Sequence, residues 1–411
     1  MKSLSLLSSF VGYDASAWSV MFPGIGKKGT RFSRHWKHDV RVGVQIAART
    51  VGLSCALAGL DTFSYVAHTM RRALMPVIIL SAFLFAWTPH ASSSDSEGDI
   101  PVAPISPETF QNWTNAYRLT NPATEVIVAP SIGRIVSIRL VGTGNFLHLD
   151  AGAKDNIAHA DSSIGSRDVG GSWLQPVSEP NRSEPAVPDL PWTATAWRSA
   201  NGSRHCLITK DYGDPLHITV RRAIKLDPHE QKITIRQRIQ RTATSHVPVT
   251  LRNITRVASP EHVFMPVDAS SVFDGGYKVM VLHGPTDADL RSCRNTLAYN
   301  ARSGGAHKLG SDAQRAWVAA QQDEFVIVAS AEGRTSGGAF PDGGCRVEMA
   351  APTRLGYADI ETLSEERMLA PGETLENVHT IRCYAVETNM PLCELSKQIQ
   401  RLLGEHIPPD E

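Results

Sequence analysis

The residues with the clearest chemical potential sit in a C-terminal strand-like segment and in one glycine-rich loop. Glu361 lies in Ile360-Glu361-Thr362, inside a stretch from Gly356 to Thr362 that keeps a strand period and leads to the turn Pro371-Gly372. Glutamate is depleted from strands, so this carboxylate either faces solvent or lines a polar cleft. Trp173 and Gln175 share the loop Gly170-Gly171-Ser172-Trp173-Leu174-Gln175-Pro176. A flat ring beside an amide suits a sugar, which offers an apolar face and a hydroxylated rim; the alternative is a tryptophan plugging the end of a sandwich. Arg256 stands two residues after Ile254, on the same strand face. It can donate hydrogen bonds but stays charged and cannot transfer a proton. His262, in Ser259-Pro260-Glu261-His262, is near enough in sequence to Arg256 to be a candidate acid, or else a plain loop histidine.

Other chemistries find less support. A glycosidase needs two carboxylates about 5–10 Å apart, and the candidates beside Glu361 are Asp268, Asp274 and Glu348. No Gly-x-Ser-x-Gly elbow accompanies the many Ser, His and Asp residues. His205, His217 and His283 lack ligand spacing, and no Cys-x-x-Cys pair occurs, so neither a metal nor a cofactor is expected. No glycine-rich phosphate loop follows a strand-like run.

The elements that must position these residues are strands. From Asn115 onward, short apolar–polar alternations recur, as in Arg134 to Leu140, His217 to Val220, Lys232 to Arg236, Val247 to Val257, Tyr277 to Leu282 and Glu324 to Ala329. Period two marks half-buried strands. Only Cys393 to Gly404 has helical spacing, with Leu395, Ile399, Leu402 and Leu403 on one face. The expected fold is all-β: a large two-sheet sandwich over 113–388, followed by a C-terminal helix and tail over 389–411.

The first 112 residues read differently. Residues 1–69 carry scattered bases and no sustained periodicity, as an upstream extension would. Met70-Arg71-Arg72, an apolar run from Ala73 to Trp87 and the small residues Ala91 to Ser94 have the order of a signal peptide over 70–94. The run is shorter than the roughly 20 residues of a spanning helix, so no stable membrane span is expected. Residues 95–112 read as a linker. Residues 1–94 hold 10 of the 41 Lys and Arg and 3 of the 41 Asp and Glu, which leaves 31 against 38, a formal net of −7. An acidic domain is poorly matched to nucleic acid. Secretion or a periplasmic location, where Cys206, Cys293, Cys345, Cys383 and Cys393 could form one or two disulfides, is the expectation; the odd number leaves a thiol unpaired.

Several segments in order carry a family resemblance: Trp113 to Asn121 with Glu125 to Val128 and Ile132 to Ile135; Gly170 to Pro176; Val249 to Val257 with Phe264-Met265-Pro266; His307 to Ser311 with Trp317-Val318-Ala319; and the Glu361 hairpin. Together they resemble the galactose-mutarotase-like superfamily, in a branch related to the aldose 1-epimerases. The resemblance implies a twisted sandwich whose concave sheet binds a mono- or oligosaccharide, with Glu361 at the position of the catalytic base; a monomer is expected, though the sequence does not name the oligomeric state. It also implies that Trp173, Gln175, Asn253, Arg256, Arg134 and Lys308 line the cleft. This chain departs from that pattern twice: Val169 stands where a histidine precedes the Gly-Gly pair, and Ile254 where the acid histidine follows Asn253. Mutarotation needs an acid as well as a base. Three functions follow: an exported saccharide binder, an epimerase-like isomerase or a polysaccharide-cleaving enzyme, and an accessory envelope protein.

Overall fold

The computed structural model describes residues 100–150, 169–177, 191–280, 289–303, 306–332, 338–352, 356–387 and 389–405. The extension over 1–69 and the signal-peptide pattern over 70–94 lie outside them. Two antiparallel sheets face each other. The eleven-stranded sheet runs, in spatial order, β1 (Pro101–Pro104), β7 (Thr193–Ser199), β8 (Arg204–Tyr212), β9 (Ile218–Leu226), β10 (Lys232–Arg241), β21 (Thr374–Ala385), β18 (Phe325–Glu332), β17 (Trp317–Gln322), β12 (His262–Pro266), β15 (Thr296–Asn300) and β14 (Leu290–Cys293). The ten-stranded sheet runs β13 (Lys278–Val279), β16 (His307–Ser311), β19 (Val347–Ala351), β20 (Tyr357–Thr362), β11 (Arg252–Ala258), β6 (Ser172–Gln175), β5 (Arg134–Leu140), β4 (Thr124–Ala129), β3 (Trp113–Thr120) and β2 (Glu108–Phe110). This is the two-sheet all-β sandwich expected from the period-two runs.

The alternation decides which side chains enter the core. On β9, Ile218, Val220, Ile224 and Leu226 face inward; on β20, Ala358 and Ile360 do; on β19, Val347 and Met349. A fully buried aliphatic side chain of this size contributes about 1.5–3 kcal/mol, so the inner faces fix the pairing register. A bulge between β4 and β5, at Ile127/Val128, lets both Ile135 and Ile138 point into the core while Val136 joins Trp113 and Ile127 on the outer side.

Some boundaries differ from the sequence reading. Residues 95–112 are not only a linker, because β1 pairs with β7 and β2 with β3, and Phe110 stacks on Trp113. The run from Val247 begins its strand only at Arg252, Val249 making a lone bridge to Arg367. Of the run from Tyr277 to Leu282, the described residues 277–280 include the two-residue strand β13. The helix α1 (Leu392–Leu402) buries Leu395 and Ile399 against Phe264, Trp317 and Val328 on the outer face of the eleven-stranded sheet. Leu402, expected on that face, is exposed instead. One disulfide, Cys293–Cys393, ties β14 to the start of α1. Cys206, Cys345 and Cys383 are free and buried, and burial pushes each thiol up to about 12.

Candidate functional site

Because Ala358 and Ile360 point into the core, their neighbours on β20 (Tyr357, Asp359 and Glu361) point to the opposite, outer face. On β11, Val257 is in the core, and Arg252, Ile254 and Arg256 alternate outward. Register aligns these strands side by side. Glu348 on β19, Glu361 on β20, Ile254 on β11 and Trp173 on β6 stand opposite one another in one transverse row. Lys308, Ala350, Asp359 and Arg256 form the row beside it. Gln175 pairs with Arg252. Trp173, Gln175, Arg256, Arg134, Lys308 and Glu361, expected to line a cleft, therefore meet on one side of the ten-stranded sheet.

One half of this face is aromatic. The Arg134 guanidinium lies 4.4 Å from the centre of the half-buried Trp173 ring, and that of Arg256 lies 5.6 Å from it. Arg256 also sits 3.9 Å from the Tyr357 ring, which packs on His148 at 4.8 Å. Fixed partners hold these groups: Arg256 donates to both Asp359 oxygens at 2.8 and 3.0 Å, Arg134 donates to the Gly170 carbonyl at 2.8 Å, and His148 meets Asp150 at 3.0 Å. Burial pulls the Arg256 guanidinium down, and Asp359 more than offsets this, so it rests above its ordinary value. The Gly170-Gly171 pair is what allows the loop to lie so close. Both residues have positive φ, and a Cβ on Gly170 would stand 2.1 Å from the His148 carbonyl oxygen.

The other half is a buried ionic cluster. Arg252 donates through Nε and a terminal nitrogen to Glu361 Oε2, at 2.6 and 2.5 Å, and through the same terminal nitrogen to Glu348 at 2.8 Å. Lys308 meets Glu348 at 3.0 Å, and Asp342 meets Arg252 at 3.4 Å. Arg252 and Glu348 are 0% exposed and Glu361 is 3% exposed. Burial raises the Glu348 carboxyl to about 8; Arg252 and Lys308 oppose this while Glu361 adds to it. Arg252 escaped the sequence reading, although it lies two residues before Ile254 and four before Arg256, the spacing of one strand face.

Two expected site residues are elsewhere. Asn253 points the opposite way from its neighbours, between the sheets, where it bonds Gln237 at 2.5 Å. His262 is on β12 of the other sheet, in line with Phe264 under α1, and bonds Gln321 at 3.1 Å. It faces away from Glu361 and cannot replace the missing acid. Of the carboxylates considered beside Glu361, Glu348 is its direct cross-strand partner. Asp268 instead accepts the Gln314 backbone N–H, and Asp274 lies in a short turn. A small open pocket of about 70 Å³ lies apart from the face, with Gln314, Phe340, Glu365 and Asn377 among its walls; neither Trp173 nor Glu361 lines it. Among the described residues no group of three His, Cys, Asp or Glu is arranged for a metal, and no helix is long and apolar enough to cross a membrane.

No family model and no curated protein matches the chain. Solved structures similar to it include a candidate aldose 1-epimerase from Escherichia coli K12, at 14% identity and TM-score 0.44, covering 66% of this chain and 99% of that one. A galactose mutarotase-like protein from Lactobacillus casei ATCC 334 is similar at 8% identity and TM-score 0.45, over 66% and 100%. A galactose 1-epimerase from Lactobacillus acidophilus NCFM is similar at 8% identity and TM-score 0.45, over 70% and 100%. The likeness concerns overall fold, and the chemistry of the site rests on this chain's own residues.

Proposed function

We propose that this protein binds a neutral or weakly charged mono- or oligosaccharide on the outer face of the ten-stranded sheet, as an exported, monomeric recognition protein. The observation that carries this reading is the transverse row Glu361–Ile254–Trp173. An aromatic ring held among hydrogen-bonding side chains stands beside a carboxylate, with an aliphatic residue where a proton donor would be needed. Cations and carboxylates are interleaved on this face, which suits an uncharged ligand better than a polyanion. The signal-peptide pattern, the formal net of −7 and the Cys293–Cys393 disulfide fit an oxidising compartment outside the cytoplasm.

A sugar-converting reading has one observation in its favour: Glu348 stands beside Glu361 as its cross-strand partner, and burial raises its carboxyl above the ordinary value. Both carboxyls are nevertheless buried and bridged by Arg252. Recognition is therefore the better-supported role.

The test is a thermal-shift screen of the purified protein against a broad saccharide panel. A ligand that binds only the native state must raise the melting temperature by mass action. One or more saccharides that do so in a dose-dependent way support the reading; a flat response across the panel contradicts it.

A further inference from the structure

The sandwich interior is largely aliphatic, and one polar layer within it is used by no part of the proposed saccharide site. Register places Arg222 on β9 opposite Gln237 on β10, and Gln237 opposite Asn377 on β21. All three face inward and are buried. Across the gap, Asn253 stands opposite Thr362 on the second sheet. Gln237 bonds Asn253, and Thr362 meets His379 Nδ1 at 3.0 Å, so the two sheets are stitched together through this layer.

The layer leaves many groups without partners. Arg222 donates one bond, to the Gly133 carbonyl at 3.1 Å; its Nε and other terminal nitrogen have none. Asn253 Nδ2, Gln237 Oε1 and both polar atoms of Asn377 are also unpartnered. Exchanging the amide assignments of Gln237 and Asn253 would still leave one donor and one acceptor. Buried polar groups are almost always satisfied, so a concentration of this kind at one level calls for a guest. The guanidinium decides its charge. Arg222 is fully buried, and among the described residues the ionisable groups acting on it are Tyr212 and a second cation, Arg134. A buried charge without a counter-charge is strongly unfavourable. Water can satisfy donors but cannot neutralise the charge.

We propose that this layer holds a small monovalent anion of chloride or bromide size on the free edge of the Arg222 guanidinium, with the Asn253 and Asn377 amides as further donors. His379 fits the assignment: burial first, and then the Arg222 charge, lower it to about 3, so it stays neutral and adds no second cation. Asn377 is also among the residues lining the open pocket, together with Glu332, Glu365, Glu376 and Arg346.

The deciding experiment is a crystal of the protein grown in bromide, with diffraction data collected at the bromine absorption edge. The account expects an anomalous peak between the sheets beside the Arg222 guanidinium. Water-like density there with no anomalous signal overturns it. In solution, the melting temperature should rise with the logarithm of chloride concentration when chloride replaces gluconate at constant ionic strength, and Arg222→Met should abolish the rise. An equal response in Arg222→Met, or none in the native protein, contradicts the site. Should that variant fail to fold, the bromide crystal decides alone.

Discussion

Glu361 shows how neighbours set the chemistry of a side chain. Its position in β20 is that of a residue aimed at a ligand, but Oε2 already accepts two bonds from Arg252. A carboxylate engaged in this way serves the fold before it serves a substrate. Glu361→Gln keeps an acceptor for Arg252 but removes a charge from a buried pair, and should cost about 1–3 kcal/mol of stability, read as a lower urea midpoint with an unchanged slope. Polarimetry should find aldose mutarotation at the uncatalysed rate both before and after the substitution. Rapid mutarotation that disappears in Glu361→Gln would make Glu361 a working base. A positioned acid typically contributes 10²–10⁴-fold, and Ile254 cannot supply it.

At the scale of elements, the Gly170–Gln175 segment positions Trp173 by pressing its backbone against His148 and Ile135. Gly170→Ala would force a side chain into the His148 carbonyl at a positive φ. Strain of this type amounts to about 1–3 kcal/mol, and the loop has to move to relieve it. The expected result is a lower melting temperature together with a changed tryptophan emission spectrum; an unchanged protein would mean that the close approach is not needed. The strands themselves were legible in the sequence because alternation is a local property: Lys232 to Arg236 and Glu324 to Ala329 are strands as expected. The face of each residue follows wherever an aliphatic neighbour fixes it, as Ala358 and Ile360 do for Glu361, and Trp173, Arg256 and Glu361 lie on one face. Asn253, placed in the cleft by the resemblance, lies inside instead, because Leu251 and Val257, two and four positions away, share its face and lie in the core. His262 failed for a different reason: six residues along the chain take the backbone from Arg256 on one sheet to β12 on the other. Arg252 and Glu348 come together through strand order, which no local pattern reveals.

For the whole molecule, two buried groups give opposite pH dependences. His379 has an ordinary value near 6.5 and a native value of about 3, so the unfolded chain binds more protons between these limits. Its contribution is present above about 6.5 and is lost as pH falls toward 3. Glu348 has an ordinary value near 4.5 and a native value of about 8, so here the native state binds more protons. Its contribution is present below about 4.5 and is lost as pH rises through 8. A melting-temperature profile should therefore decline on both sides of a maximum between about pH 5 and 7. Glu348→Gln should flatten the alkaline limb, and an alkaline limb unaltered by that change would show that Glu348 is ionised in the native protein.

Recognition of a saccharide on the Trp173 face is the claim on which the rest depends. Its most direct test is calorimetric titration of the native protein and of Trp173→Ala with a saccharide that raises the melting temperature. An aromatic contact contributes about 0.5–1.5 kcal/mol beyond its buried area, so the variant should bind at least severalfold more weakly while melting as a folded, cooperative protein. Unchanged affinity in a folded Trp173→Ala, or loss of folding in place of affinity, would contradict the account and make Trp173 a packing residue held between Arg134 and Arg256.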